Sequence, residues 1–113
     1  LKARDDLQEP SIAFLLTLDD AAFRTFFSGS PVKRIGRDRF IRNVLIAAGN
    51  SGEKALIAQC RLLAGDASPV VRGMAVWALS RLMAADEFSA FAAQRAGESD
   101  DDVLNEWRLA GVG

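Results

Sequence analysis

The apolar positions of this chain recur at helical spacing. Phe40, Ile41, Val44, Leu45 and Ala48 fall three and four residues apart, and so do Leu56, Ile57, Cys60 and Leu63. Such spacing lays one apolar stripe along a helix. The Val/Ile/Thr alternation of a half-buried strand is missing. Punctuation divides the stripes into elements. A short apolar helix is expected over 11–18. Asp19 caps a second, with Ala22, Phe23, Phe26 and Phe27 as its apolar face. Ser28-Gly29-Ser30-Pro31 stops it, and a basic loop runs over 32–36. A third helix begins at Arg37 with Gly49 as its expected C-cap. A fourth covers 53–64. Ser68 is a natural N-cap and Pro69 a natural first residue for the longest helix, ending near Ala84. Helices over 87–96 and 101–110 follow, the last with acids at the positive end of its dipole.

Three of these segments repeat one another. Ile41-Arg42-x-x-Leu45-x-x-Ala48-Gly49 matches Val71-Arg72-x-x-Ala75-x-x-Ala78-Leu79 thirty residues on, and Val103-Leu104-x-x-Trp107-x-x-Ala110-Gly111 thirty-two further. One helix pair cannot bury its own apolar face, whereas stacked pairs share a continuous core. The expected architecture is all-α, a HEAT-like (PBS-lyase-type) stack of about seven helices. Residues 1–36 read as a helical lead-in and basic loop, and 37–113 as the repeats, one compact domain overall.

Composition narrows the chemistry. Histidine is absent and Cys60 is the one cysteine. A Ser-His-Asp or Cys-His arrangement is therefore impossible, as is a zinc or iron–sulfur site built from this chain alone. The lone cysteine suits a reducing, cytoplasmic setting. No apolar run approaches the roughly 18 residues of a membrane span. The charged start without an initiator Met reads as a piece of a longer protein. The net charge of −1 conceals a segregation. From Arg24 to Arg42 six cations face the single acid Asp38, so the rest of the chain is strongly acidic, notably around Glu98, Asp100, Asp101, Asp102 and Glu106.

Residues 23–52, FRTFFSGSPVKRIGRDRFIRNVLIAAGNSG, resemble the region that follows the ferredoxin-like domain of the epoxyqueuosine reductases, and 68–82, SPVVRGMAVWALSRL, are similar to the helical repeats of that family. The resemblance covers about 7–82. It implies a parent oxidoreductase that completes queuosine in the anticodon loop of tRNA, with cobalamin and 4Fe-4S clusters held in catalytic and ferredoxin-like domains upstream of Leu1. This piece would be a non-catalytic accessory domain carrying no cofactor. Its partners would be the tRNA anticodon arm and those upstream domains, with no membrane.

Lys33, Arg34, Arg37, Arg39 and Arg42 are the candidate RNA-binding residues. Cations spaced along a surface, with the N–H groups of a loop and a helix start, are what a phosphate backbone requires. Arg37 and Arg39 at a helix N-terminus also oppose the dipole, an expense an anionic partner would offset. The alternative is that these arginines pair with acids such as Asp19, Asp20 or Glu53, on a scaffold that touches protein and no RNA. Arg42 and Arg72 share a repeat position and suit contacts between stacked pairs, with Asp66 a candidate partner for Arg72. Phe23, Phe26, Phe27, Trp77 and Trp107 are expected in the core.

Overall fold

The computed structural model describes residues 10–95 and 97–111. Among them lie seven α-helices and no strand: α1 (Ile12–Leu15), α2 (Asp20–Phe26), α3 (Arg37–Ser51), α4 (Ile57–Leu63), α5 (Pro69–Leu82), α6 (Ala85–Ala93) and α7 (Asp101–Leu109). Two 3-10 turns, Pro31–Ile35 and Lys54–Leu56, precede α3 and α4. The protein is an all-α stack. Its spine is α3 packed on α5 and α5 packed on α7, the three helices whose sequences repeat. The matched positions face inward in each copy. Ile41, Val71 and Val103 are buried, as are Leu45, Ala75 and Trp107, and Ala48 with Ala78. Burying a side chain of the Val, Ile or Leu class contributes about 1.5–3 kcal/mol, so the repeated register is where the stack gains its stability.

Local chemistry sets most helix ends. Ser11 accepts from the Phe14 N–H at 3.0 Å, Asp19 from Ala22 at 2.8 Å, and Ser68 from Val71 at 3.4 Å. Asp100 accepts from both Asp102 and Val103, at 2.9 and 3.1 Å. Cations close other ends. The Lys54 ammonium donates to the last carbonyl of α5, Leu82 O, at 2.9 Å, and Arg95 donates to Ala64 O just past α4 at 2.7 Å. Each ties one helix pair to the next.

Several boundaries depart from expectation. Helix α1 stops at Leu15, where the Thr17 hydroxyl takes the Phe14 carbonyl at 2.6 Å. Helix α3 passes through Gly49 and ends at Ser51, with Gly52 left-handed at φ 72°. Gly49 is an interior position because the indole of Trp77 lies against it: a Cβ there would come 2.5 Å from Trp77 Cζ3. The helix expected over 53–64 is a 3-10 turn followed by α4. Helix α5 ends at Leu82 because Met83 is extended. Helix α6 runs two residues earlier at its start than expected, and Ala96, its expected end, lies outside the described residues. Phe23 is buried and Phe27 half-buried, but Phe26 is 45 % exposed and leaves the expected core.

Candidate nucleic-acid interface

Of the five candidate cations, Lys33 and Arg34 sit on the 3-10 turn joining α2 to α3, and Arg37, Arg39 and Arg42 on the first turns of α3. Pro31 opens the 3-10 turn with Ser30 as its cap, and Lys33 and Arg34 project from it, both exposed. Gly36, at φ 84°, turns the chain into α3. This helix start has no side-chain cap, unlike those of α2, α5 and α7. Helix starts left this way present N–H donors to any nearby anion. Around it opens a depression of about 910 Å³, lined by Arg37, Arg39, Arg42, Asn43 and Ser68 among others and also by the acids Asp20 and Asp38. Asp20 is paired with Arg24 at 3.1 Å and Asp38 with Arg37 at 3.1 Å, so both acids already have cations beside them.

Arg37 does not belong with the open cations. Its guanidinium forks onto Asp66, Nη2 to Oδ1 at 2.9 Å and Nη1 to Oδ2 at 3.0 Å, and its Nε donates to Leu18 O at 2.9 Å. Only 12 % of its side chain is exposed. Its guanidinium is engaged within the fold: this arginine staples the lead-in and the loop before α5 to the start of α3. The partner is Asp66, not Asp19, Asp20 or Glu53. Burial by itself would raise the Asp66 carboxyl, but the Arg37 hydrogen bonds and the Ser68 N–H outweigh it and hold the group below its ordinary range.

The same device recurs one repeat later. Arg72 forks onto Glu98 at 2.9 and 3.0 Å and also donates to Asp66 O and Ala67 O. Hydrogen bonds from Arg72 lead the causes that hold the Glu98 carboxyl below its usual value. In both cases the acid accepts the N–H of the N-cap two residues on, Ser68 for Asp66 and Asp100 for Glu98, each at 2.9 Å. Acid-x-N-cap, following an arginine-bearing helix, is the signal that a reading by hydrophobic period passes over.

Arg39 and Arg42 are placed differently. Three residues apart on α3, they share the outward face and are exposed. Among the described residues neither meets a carboxylate; Arg42 reaches only Asn43 Oδ1 at 3.5 Å. Lys33 and Arg34 likewise have no carboxylate partner among the described residues. Four cations are thus left over once the fold has used Arg24 and Arg37.

An epoxyqueuosine reductase from Alicycliphilus denitrificans is 38 % identical over 87 residues, 70 % of this chain. The enzymes of the same name from Xanthomonas campestris and Shewanella oneidensis are 33 % and 31 % identical over 71 % and 74 % of it.

The chain is a relative of the epoxyqueuosine reductases.

It spans 22–24 % of the length of these relatives. No protein-family model and no solved structure matches the chain. Of the groups that the family resemblance implies, a 4Fe-4S cluster needs thiolates. Cys60 does not fit that role: it is fully buried, and burial pushes its thiol up to about 11. Among the described residues no three His, Cys, Asp or Glu side chains gather as a metal site, and no helix is long and apolar enough to cross a membrane.

Proposed function

We propose that this chain is an accessory domain of an epoxyqueuosine reductase that holds tRNA by its phosphate backbone and contributes no group to the reductive chemistry. The observation that carries the reading is the surplus of cations. Lys33, Arg34, Arg39 and Arg42 have no structural employment among the described residues; Arg39 and Arg42 line the open depression at the uncapped start of α3, and Lys33 and Arg34 are exposed on the turn just before it. Exposed like charges gathered without partners repel one another, and an anionic ligand removes that penalty. Arg37 acts as a positioning residue, holding the start of α3 where Arg39 and Arg42 face the same space. Residues 1–36 form the lead-in that supplies Lys33 and Arg34, and 37–113 form the stack that supplies Arg39 and Arg42; the two work as one unit. Cobalamin and the 4Fe-4S clusters belong to the portions of the relatives that this chain does not span, the catalytic and ferredoxin-like domains against which it would pack. The substrate would be the anticodon arm of a tRNA in the cytoplasm.

The test is the salt dependence of tRNA binding by the protein containing this domain. Four phosphate contacts give a log–log slope of about −3 to −4. The combined variant Lys33→Glu, Arg34→Glu, Arg39→Glu, Arg42→Glu is expected to bind at least tenfold more weakly and to lose most of the slope attributable to this domain. Unchanged affinity and slope in the folded variant would overturn the reading and leave the structural scaffold in its place.

A further inference from the structure

The ring of Phe26 stands at the surface, unlike those of Phe23 and Phe27 close by in the chain. It is 45 % exposed, and Phe14 beside it is 43 % exposed, with ring centroids 5.4 Å apart. Phe26 is braced from behind: Phe27 meets it edge-on at 4.9 Å, and Phe27 in turn packs on Phe40 of α3 at 4.9 Å. A ring held this firmly loses little rotamer freedom when a ligand covers its open face. The cations lie close along the chain. Ser30 N donates to Phe27 O at 2.8 Å and Lys33 N to Ser30 O at 3.1 Å. Each such turn brings its ends within about 7 Å, so the backbone of Lys33 lies no more than about 14 Å from that of Phe27.

A braced, half-open aromatic pair a short stretch of chain from exposed cations that meet no carboxylate among the described residues is the combination that single-stranded nucleic acid uses: phosphates follow the charge, and bases stack on the rings. Inside a duplex both faces of every base are stacked, so away from its two ends it offers the rings nothing to cover. We infer that Phe26, assisted by Phe14, is a stacking platform for an unpaired base of an RNA whose neighbouring phosphates lie on Lys33 and Arg34. This rests on the phosphate-binding reading above and specifies it: the ligand reaches this end of the domain as unpaired nucleotides.

The experiment compares an oligouridylate single strand with a blunt RNA duplex, each binding to the 113-residue chain at low salt, for wild type and for the Phe14→Leu/Phe26→Leu variant. Leucine keeps the surface apolar and removes the ring. Circular dichroism checks that the variant folds, and Phe26→Trp serves as a second variant that retains an aromatic face. The expected result is a loss of roughly tenfold in single-strand affinity for the leucine variant, an unchanged salt slope, unchanged duplex affinity, and retained binding by Phe26→Trp. If the leucine variant binds single strand as wild type does while Lys33→Glu/Arg34→Glu does not bind, the platform is refuted and the phosphate reading stands. If wild type binds neither RNA, both are refuted together, and the exposed rings are left as a contact surface for protein.

Discussion

Arg37 and Arg42 stand five residues apart on one helix, and the structure gives them opposite roles. Arg37→Gln removes a forked pair at 2.9 and 3.0 Å and a third bond to Leu18 O at 2.9 Å. Asp66 is then left with the Ser68 N–H and 15 % side-chain exposure. Breaking a fully buried pair from one side costs about 3–5 kcal/mol. Some solvent reaches this pair, which places the loss nearer 2–3 kcal/mol. For a domain of this size that is a drop in melting temperature of about 10–20 °C. Arg42→Gln removes a single long contact to an exposed amide and is expected to stay within about 0.5 kcal/mol of wild type. Urea unfolding followed by far-UV circular dichroism measures both. A double variant Arg37→Gln/Asp66→Asn should lose clearly less than the two singles together, since they share one interaction. The assignment fails if Arg37→Gln loses under about 1 kcal/mol, or if Arg42→Gln loses as much as Arg37→Gln.

Two further outcomes follow from the packing and the acids. Gly49→Ala adds a methyl against the Trp77 ring, a contact at 2.5 Å. Overpacking of about 1–3 kcal/mol outweighs the roughly 1 kcal/mol that alanine gains in a helix interior. A net loss of about 1 kcal/mol is expected in wild type and a gain in a Trp77→Leu background, by thermal melts of the four proteins; a loss of equal size in both backgrounds would mean the ring is not the obstacle. Acid should destabilise the stack. Asp66 and Glu98 are held below their ordinary values, so their contribution is full above the unfolded-chain values of about 3.9 and 4.3 and is lost as pH falls through the lower folded values. Urea midpoints measured downward from about pH 5 should fall below about pH 4, and the Asp66→Asn variant should show a shallower fall; identical profiles would refute the role of Asp66.

The helices were legible because the stack has one repeated register. Ile41, Val71 and Val103 carry the same β-branched character to the same buried place, and hydrophobic period detects that directly. The ends were less legible, for tertiary reasons. Gly49 in Gly49-Asn50-Ser51-Gly52 looks like a helix stop by local chemistry, yet the demand on it comes from Trp77, twenty-eight residues away. Phe26 belongs to an apolar stripe, but on a seven-residue helix with nothing described over its outer side, the stripe is wider than the buried face. Period reports which residues are apolar; what covers them is decided by the neighbours.

Charge shows the same division more sharply, and there it bears on function. Sequence placed Arg42 and Arg72 at one repeat position, suited to contacts between stacked pairs, while also counting Arg42 among the candidate RNA-binding residues. The stack provides an acid ahead of each incoming helix, Asp66 before α5 and Glu98 before α7, and each takes one forked arginine. Glu98 is taken by Arg72. Asp66 is taken by Arg37, whose place at the first residue of α3 also lets it reach Leu18 O. The bidentate Arg37 guanidinium and the Ser68 N–H engage both Asp66 oxygens, and no bond from Arg42 reaches them. Arg42 is therefore left without the acid its repeat position predicts, and it stands in the open beside Arg39. The loss of one structural partner within a repeated pattern turns a stacking residue into a surface charge. Because Arg37 already completes the clamp, keeping an arginine at 42 does nothing for the stack. Under the proposed function, a phosphate held between Arg39 and Arg42 would give that side chain a purpose that the repeat does not.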